Sequence, residues 1–199
     1  MPKRRVGVFV DYQNCYGAAR ETFHDSADPG YIGNIHPHVL AHLLASKDSG
    51  AYELVFVGVY CGIADPRRDP RTAAARQKQI AAWQKSGAVV FARPLRYPSG
   101  WPKVPAEEKG VDVKMSIDVV MGAVTDSYDV AILASCDTDL APVVEALLQM
   151  SATTGKPAVE LIAWKGRQNK IGVPGVALTY RWVADGDYRA MRDQTDYNR

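Results

Sequence analysis

Five short, apolar and β-branched runs recur along the chain, broken only by Glu160 in the last, and they constrain its fold more than any other feature. They are Val6–Val10, Leu54–Tyr60, Ala88–Ala92, Val130–Ala134 and Val159–Ala163. A strand with one face in water alternates apolar and polar residues, whereas an unbroken apolar run needs cover on both faces. Helical patterns lie between the runs. Val39, Leu40, Leu43 and Leu44 form an apolar face after Pro37, and Thr72–Lys85 is rich in Ala and Gln before Gly87, a suitable C-terminal cap. Val113, Ile117, Val120 and Val124, at spacings of three and four, give the helix over 113–124 an apolar face. Pro142 opens a further helix to Met150, in the first turn, where a missing N–H costs little. The alternation predicts an α/β fold: a mainly parallel central sheet in a three-layer α/β/α, Rossmann-like arrangement.

The 199 residues suit one ordinary domain, expected over residues 1–192, with 193–199 as a frayed tail. A hydrophobic fraction of 47% with 23% charged residues excludes a disordered chain. Two stretches are irregular: Asp25–Ile35, rich in Gly, Asp and Asn, and Arg93–Gly110, with Pro94, Pro98, Pro102 and Pro105. Loops that long inside a domain are often functional. The three cysteines, Cys15, Cys61 and Cys136, are far apart and form no CxxC, which suits a reducing compartment. No apolar run approaches the roughly 20 residues that span a bilayer. The first apolar run meets Asp11 too soon for a signal-peptide core of about 7–15 residues. A cytoplasmic protein without membrane contact is expected.

Ligands of open α/β sheets bind beyond the carboxyl ends of the strands, and this sequence places acid there. Asp11 follows the first strand, Asp137 and Asp139 follow the fourth, and Asp112 precedes the helix from Val113. If the first and fourth strands are neighbours, Asp11, Asp137 and Asp139 converge. Carboxylates in one crevice repel and raise one another's pKa. A hard divalent cation, Mg²⁺ or Mn²⁺, is the usual compensation for an oxygen-only donor set. Such ions generate hydroxide and stabilise in-line displacement at phosphorus. The competing explanation is local: Asp137 or Thr138 simply caps the following helix. Capping does not need three carboxylates at two strand ends. Glycine cradles for nucleotides are missing, since Gly155-Lys156 runs into Pro157 and no GxGxxG follows the first strand. His38 and His42 have an i,i+4 spacing that can chelate zinc, but no Cys or acidic residue sits nearby at ligand spacing. Cys15 and Cys136 flank the crevice, where carboxylates oppose thiolate formation.

The segments VFVDYQN (Val8–Asn14), KGVDVKMSIDVV (Lys109–Val120) and AILASCDTDLAPVV (Ala131–Val144) resemble the three blocks of the NYN domain. These are PIN-like proteins of the LabA type, described as ribonucleases. The resemblance implies a PIN-like fold and a metal-dependent endoribonuclease that hydrolyses RNA phosphodiester bonds. By position, Asp11, Asp112, Asp137 and Asp139 match the family's acidic metal-site residues, and Asn14 the asparagine of its first block. Cys136 stands where the family often has Gly, which removes no ligand. Asp11 and Asp137 are then primary metal ligands, with Asp139 and Asp112 as further ligands or water-orienting bases. Asn14 donates to the scissile phosphate or fixes Asp11, and Ser135 hydrogen-bonds beside the metal. Asp118 matches the later acid of the middle block but lies six positions after Asp112, pointing away on an ideal helix.

The 24 Lys and Arg nearly cancel the 22 Asp and Glu, leaving +2 and an isoelectric point near 8.4. That excludes a polybasic binder, but the balance is uneven. Residues 61–114 carry 11 Lys and Arg against five acids, a net +6, so the remainder is −4. Arg67, Arg68, Arg71, Arg93, Arg96, Lys103 and Lys109 are candidate RNA phosphate contacts. Tyr97 and Trp101, in the Pro-rich stretch among these cations, can stack bases or equally pin the loop by packing. A non-catalytic RNA-binding or partner-recruiting module with a vestigial site is the alternative function. A nucleotide-sugar transferase built on Asp137-Thr138-Asp139 would leave Asp11 unexplained. Strand pairing into a homo-oligomer stays open.

Overall fold

The computed structural model describes residues 2–47 and 51–199. In chain order the elements are β1 (Arg4–Asp11), α1 (Tyr12–Phe23), α2 (Pro37–Ser46), β2 (Tyr52–Ile63), α3 (Pro70–Lys85), β3 (Val89–Pro94) and α4 (Val111–Val124), followed by β4 (Val130–Ala134), α5 (Ala141–Thr154), β5 (Ala158–Trp164), β6 (Thr179–Val183) and α6 (Asp185–Met191). Short 3-10 turns occupy Gly30–Gly33 and Thr138–Leu140. The strands form one sheet in the order β3-β2-β1-β4-β5-β6, and every pairing is parallel. The chain winds outward in one direction from β1 to β3, then returns to place β4 on β1's other side. That reversal opens a crevice between the carboxyl ends of β1 and β4.

Alternation along β1 sends side chains into two cores. Val6, Val8 and Val10 pack with Ile132 and Ala134 under α1, α2, Trp83 of α3 and Tyr188 of α6. Phe9 packs on the opposite face with Ala131 and Leu133, under Met115 and Val119 of α4 and Val144 and Leu147 of α5. Helices on both faces of a buried parallel sheet make the three layers that the apolar runs predict. Among the described residues no helix is long and apolar enough to cross a membrane.

Four differences from the sequence reading have local causes. The first acidic motif begins a helix: Asp11 caps α1, accepting from the Asn14 amide at 3.1 Å. β6 is an additional strand whose Thr-Tyr-Arg-Trp-Val sequence lacks an apolar run. It is an edge strand, and its Arg181 pairs with Glu160 of β5 at 2.6 Å, both side chains buried. On α4 the expected core face is largely reversed. Val111, Met115 and Val119 are buried, whereas Val113, Ile117 and Val124 are 55%, 53% and 62% exposed. This helix is apolar on two sides, so spacing alone could not say which side meets the sheet. Residues 193–199, expected to fray, are tied down: Asp193 is buried and its amide donates to the Asn34 carbonyl. Tyr197 Oη donates to Asp193 Oδ2 at 2.7 Å, and Lys78 Nζ donates to the carbonyls of Tyr197 and Arg199.

Candidate acidic site

β1 delivers Asp11 to the crevice, and β4 delivers Ser135 one residue past its last paired position. Ser135 is fully buried and connects two acids. Its hydroxyl donates to Asp11 Oδ2 at 3.0 Å and accepts from the Asp137 amide at 3.1 Å. Asn14, one turn into α1, accepts from the Cys136 amide through Oδ1 at 2.8 Å. Its carbonyl oxygen therefore locks the β4 turn to α1, while its main-chain amide orients Asp11. Asp137 Oδ1 accepts from the Asp139 amide at 3.0 Å and caps the 3-10 turn at Thr138–Leu140. The capping explanation for Asp137 holds for one oxygen; a cap uses only one.

Burial is the largest influence on Asp11 and pushes its carboxyl up to about 6; Glu108 and Asp137 push the same way, against the hydrogen bonds from Asn14 and Ser135. Glu108 is a site residue that the sequence reading missed. It ends the Pro-rich stretch, and its Oε1 accepts from the Gly62 amide near the end of β2. Burial raises its pKa and Asp112 adds to that, while the Gly62 hydrogen bond and the Arg76 guanidinium oppose the shift. Glu108 reaches the crevice because Gly62 has no side chain. A Cβ there would stand 2.8 Å from Glu108 Oε1 and 2.4 Å from Leu95 Cδ2. A weak signal was present: Glu108 lies directly before the Lys109–Val120 block, yet it carries no spacing of its own.

The four acids expected from sequence are placed unequally. Asp11 and Asp137 share the crevice with Glu108, and Asp112, exposed in the first turn of α4, acts on it through Glu108. Asp139 is exposed and lines a groove between α4 and α5 with Ser116, Ile117 and Val143. Among the described residues no three His, Cys, Asp or Glu side chains are gathered closely enough to hold a metal ion together. The donor chemistry nevertheless suits a hard cation: half-buried carboxylates, of which Glu108 and Asp137 act on Asp11 as like charges, favour a compensating positive charge. Asp118 lies away from the crevice, accepting from Tyr60 Oη at 3.0 Å and pairing with Lys114.

The basic residues spread around the β2 and β3 ends. Arg67 pairs with Asp65 at 2.9 Å, and Arg68 lies over the Tyr97 ring at 5.0 Å. Tyr97 Oη accepts from the Asp65 amide, and Trp101 meets the Tyr97 ring edge-to-face at 5.0 Å. These two aromatics are thus pinned to each other and to the 65–68 turn. Arg96 and Glu107 exchange main-chain hydrogen bonds across the loop. Arg93 borders Gly110, whose φ of 70° is the left-handed cap of α4. Lys103 and Lys109 are exposed. Arg71 lines a separate cavity with Arg76. The cysteines are buried and unpaired, and burial raises the thiols of Cys61 and Cys136 to about 11 and that of Cys15 well above its ordinary range. None is a nucleophile near neutral pH. His38 and His42 meet ring to ring at 4.6 Å.

Comparison with known proteins agrees with this fold. The NYN domain profile matches residues 5–157. The structure resembles the crystal structure of a Vibrio parahaemolyticus protein of unknown function, with a TM-score of 0.56 and 20% identity. That match covers 93% of this chain and 95% of the other. No curated protein matches.

Proposed function

The chain belongs to the NYN domain family, and from that premise we propose that it is a metal-dependent endoribonuclease of the LabA-like branch, acting in the cytoplasm. The observation that carries the reading is Asp11 at the β1–β4 switch point, facing the like charges of Glu108 and Asp137 and raised by burial and these neighbours to about 6. Asp11 and Asp137 would hold a Mg²⁺ or Mn²⁺ ion, with Glu108 facing it and Asp112 and Asp139 as outer contributors. When bound, such an ion activates water and offsets charge building on the phosphate.

The chain's own residues supply the rest. Ser135 fixes the separation of Asp11 and Asp137 by bonding both. Asn14 holds the β4 turn against α1, so the two strand ends cannot drift apart. Glu108, held off its usual pKa by burial, is suited to accept a proton from the attacking water. Arg67, Arg68, Arg71, Arg93, Arg96, Lys103 and Lys109 contact RNA phosphates, and Tyr97 and Trp101 support them from the loop. RNA incubated with Mn²⁺ is expected to be cleaved, and EDTA or Asp137→Asn to stop it without unfolding the protein. Undiminished cleavage by the folded variant contradicts the proposal.

The exposed α4 stripe of Val113, Ile117, Met121 and Val124 favours a second reading, a partner-recruiting module with a vestigial site. A wild-type protein that binds RNA but never cleaves it, with either metal, selects that reading.

A further inference from the structure

A cavity of about 450 Å³ opens beside the acidic crevice; its lining includes four tyrosines and two arginines, with Asp196 as its one acid. Its floor is one face of α1 and one face of α3. Tyr12 and Tyr16 are one turn apart on α1, with rings 6.4 Å apart and nearly parallel. Arg71, Ala75 and Gln79 recur every four residues on α3, with Arg76 beside them. The irregular stretch 25–35 supplies Tyr31 and Asn34 as one wall, and the docked segment 193–199 supplies Tyr197 as the other.

The lining is organised. Tyr12 Oη donates to Asn34 Oδ1 and accepts from Gln79 Nε2, and Gln79 Oε1 accepts from Arg76 at 2.8 Å. Tyr16 Oη donates to the Gly30 carbonyl at 3.0 Å, which fixes the wall that carries Tyr31. Arg76 lies over the Tyr12 ring at 4.9 Å, and its charge also acts on Glu108 in the acidic crevice. It therefore stands between the two sites. Tyr31 is half-exposed and Arg71 exposed. Tyr12 and Gln79 are buried and mutually satisfied, so they shape the cavity without being consumed by a ligand.

We propose that this cavity binds one unstacked nucleotide of single-stranded RNA adjacent to the cleaved bond, with its base against Tyr31 and Tyr16 and its phosphate on Arg71 and Arg76. Three observations converge on a nucleotide. The volume suits a small ligand, half-exposed aromatic rings offer π-faces that any base can use, and guanidiniums at the rim match a phosphate. A base paired in a duplex could not enter, which selects single strands. The inference rests on the nuclease reading for the position of the cleaved bond alone; the cavity itself is independent of it.

The test is binding without metal. A fluorescein-labelled single-stranded RNA hexamer, in EDTA, is titrated with wild-type protein, Tyr31→Ala, Tyr31→Phe and Arg71→Glu, each shown by circular dichroism to be folded. Tyr31→Ala is expected to weaken binding about tenfold and Tyr31→Phe by less than about twofold, because stacking needs the ring and not the hydroxyl. Arg71→Glu should weaken binding and flatten its salt dependence. A duplex of the same sequence should bind more weakly than the single strand. Equal binding by wild type, Tyr31→Ala and Arg71→Glu overturns the proposal, as does absence of binding to the wild type; equal duplex binding overturns the single-strand assignment. If RNA is cleaved with Mn²⁺ while hexamer binding ignores both substitutions, the cavity falls and the nuclease stands. If binding responds as expected but no cleavage occurs, the nuclease falls and the cavity stands.

Discussion

At the amino ends of the strands, Asp129 and Asp126 meet Arg5 and Lys156; at the carboxyl ends, Asp11 faces the like charges of Glu108 and Asp137. Arg5 bonds Asp129 at 2.8 Å and Asp126 at 2.9 Å, and Lys156 bonds Asp126 at 2.6 Å. Hydrogen bonds from Arg5 hold the Asp129 carboxyl down to about 2. Across the same sheet, burial and like charge raise Asp11 to about 6. A structural carboxylate is given its counter-charge by the chain. Asp11 is left short of it, and folding bears the repulsion, as the proposed cation site requires. On the proposed reading, the acids at one end serve stability and those at the other hold a cation.

The comparison breaks most visibly in activity. Asp137→Asn should lower Mn²⁺-dependent RNA cleavage at least about a hundredfold, while Asp129→Asn leaves the rate of the folded protein unchanged; a fluorogenic RNA assay reads both. Glu108→Gln should cost roughly 10- to 100-fold. Gly62→Ala should reproduce much of that loss by crowding Glu108 from its seat, since the new Cβ would lie 2.8 Å from the carboxylate.

Stability should respond in opposite directions at the two ends. Folded Asp11 keeps its proton to about pH 6, whereas an unfolded Asp releases it near pH 4 (about 3.9). The folded state binds more protons in between, so stability from this position is greatest below about pH 4 and falls as pH rises through 6. Metal-free Asp11→Asn should therefore be more stable than wild type at pH 7.5, by about 1–3 kcal/mol, with little gain at pH 4, in urea denaturation. Asparagine retains the capping oxygen. Asp129 behaves inversely: its depressed pKa stabilises the fold above about pH 4 and ceases to do so as pH falls through 2. Asp129→Asn should cost about 1 kcal/mol at pH 7, less at high salt, and progressively less as pH falls toward and below about 2. This is the smallest expected effect.

The parts legible in the sequence are those where one residue type has one use. Unbroken apolar runs mark β1, β2 and β4, and β5 departs from this only at Glu160, because a doubly covered strand favours them. Asp11 is legible because it follows such a run directly, and Asp137 because only Ser135 and Cys136 separate it from one. The parts missed depend on contacts between distant segments. Glu108 enters the site through Gly62, 46 positions away, and nothing in its own neighbourhood announces this. β6 hides because Arg181 needs Glu160 on β5 to be buried. The α4 stripe misleads because the helix is apolar on two sides, and the choice between them belongs to the sheet. Asp139 illustrates the converse: it lies two positions after Asp137, yet the 3-10 turn sets it at the edge of the α4–α5 groove, so spacing alone did not give its distance from Asp11.

The central claim, that the carboxyl-end acids form a cation site left uncompensated by the chain, is tested most directly by calorimetric titration of Mn²⁺ into wild type, Asp137→Asn and Asp129→Asn. Wild type and Asp129→Asn should bind Mn²⁺ alike at pH 7.5 and much more weakly at pH 5, where Asp11 is protonated, and Asp137→Asn should lose binding at both. Binding that survives Asp137→Asn intact, or wild-type protein that takes up no Mn²⁺ at pH 7.5, would contradict it.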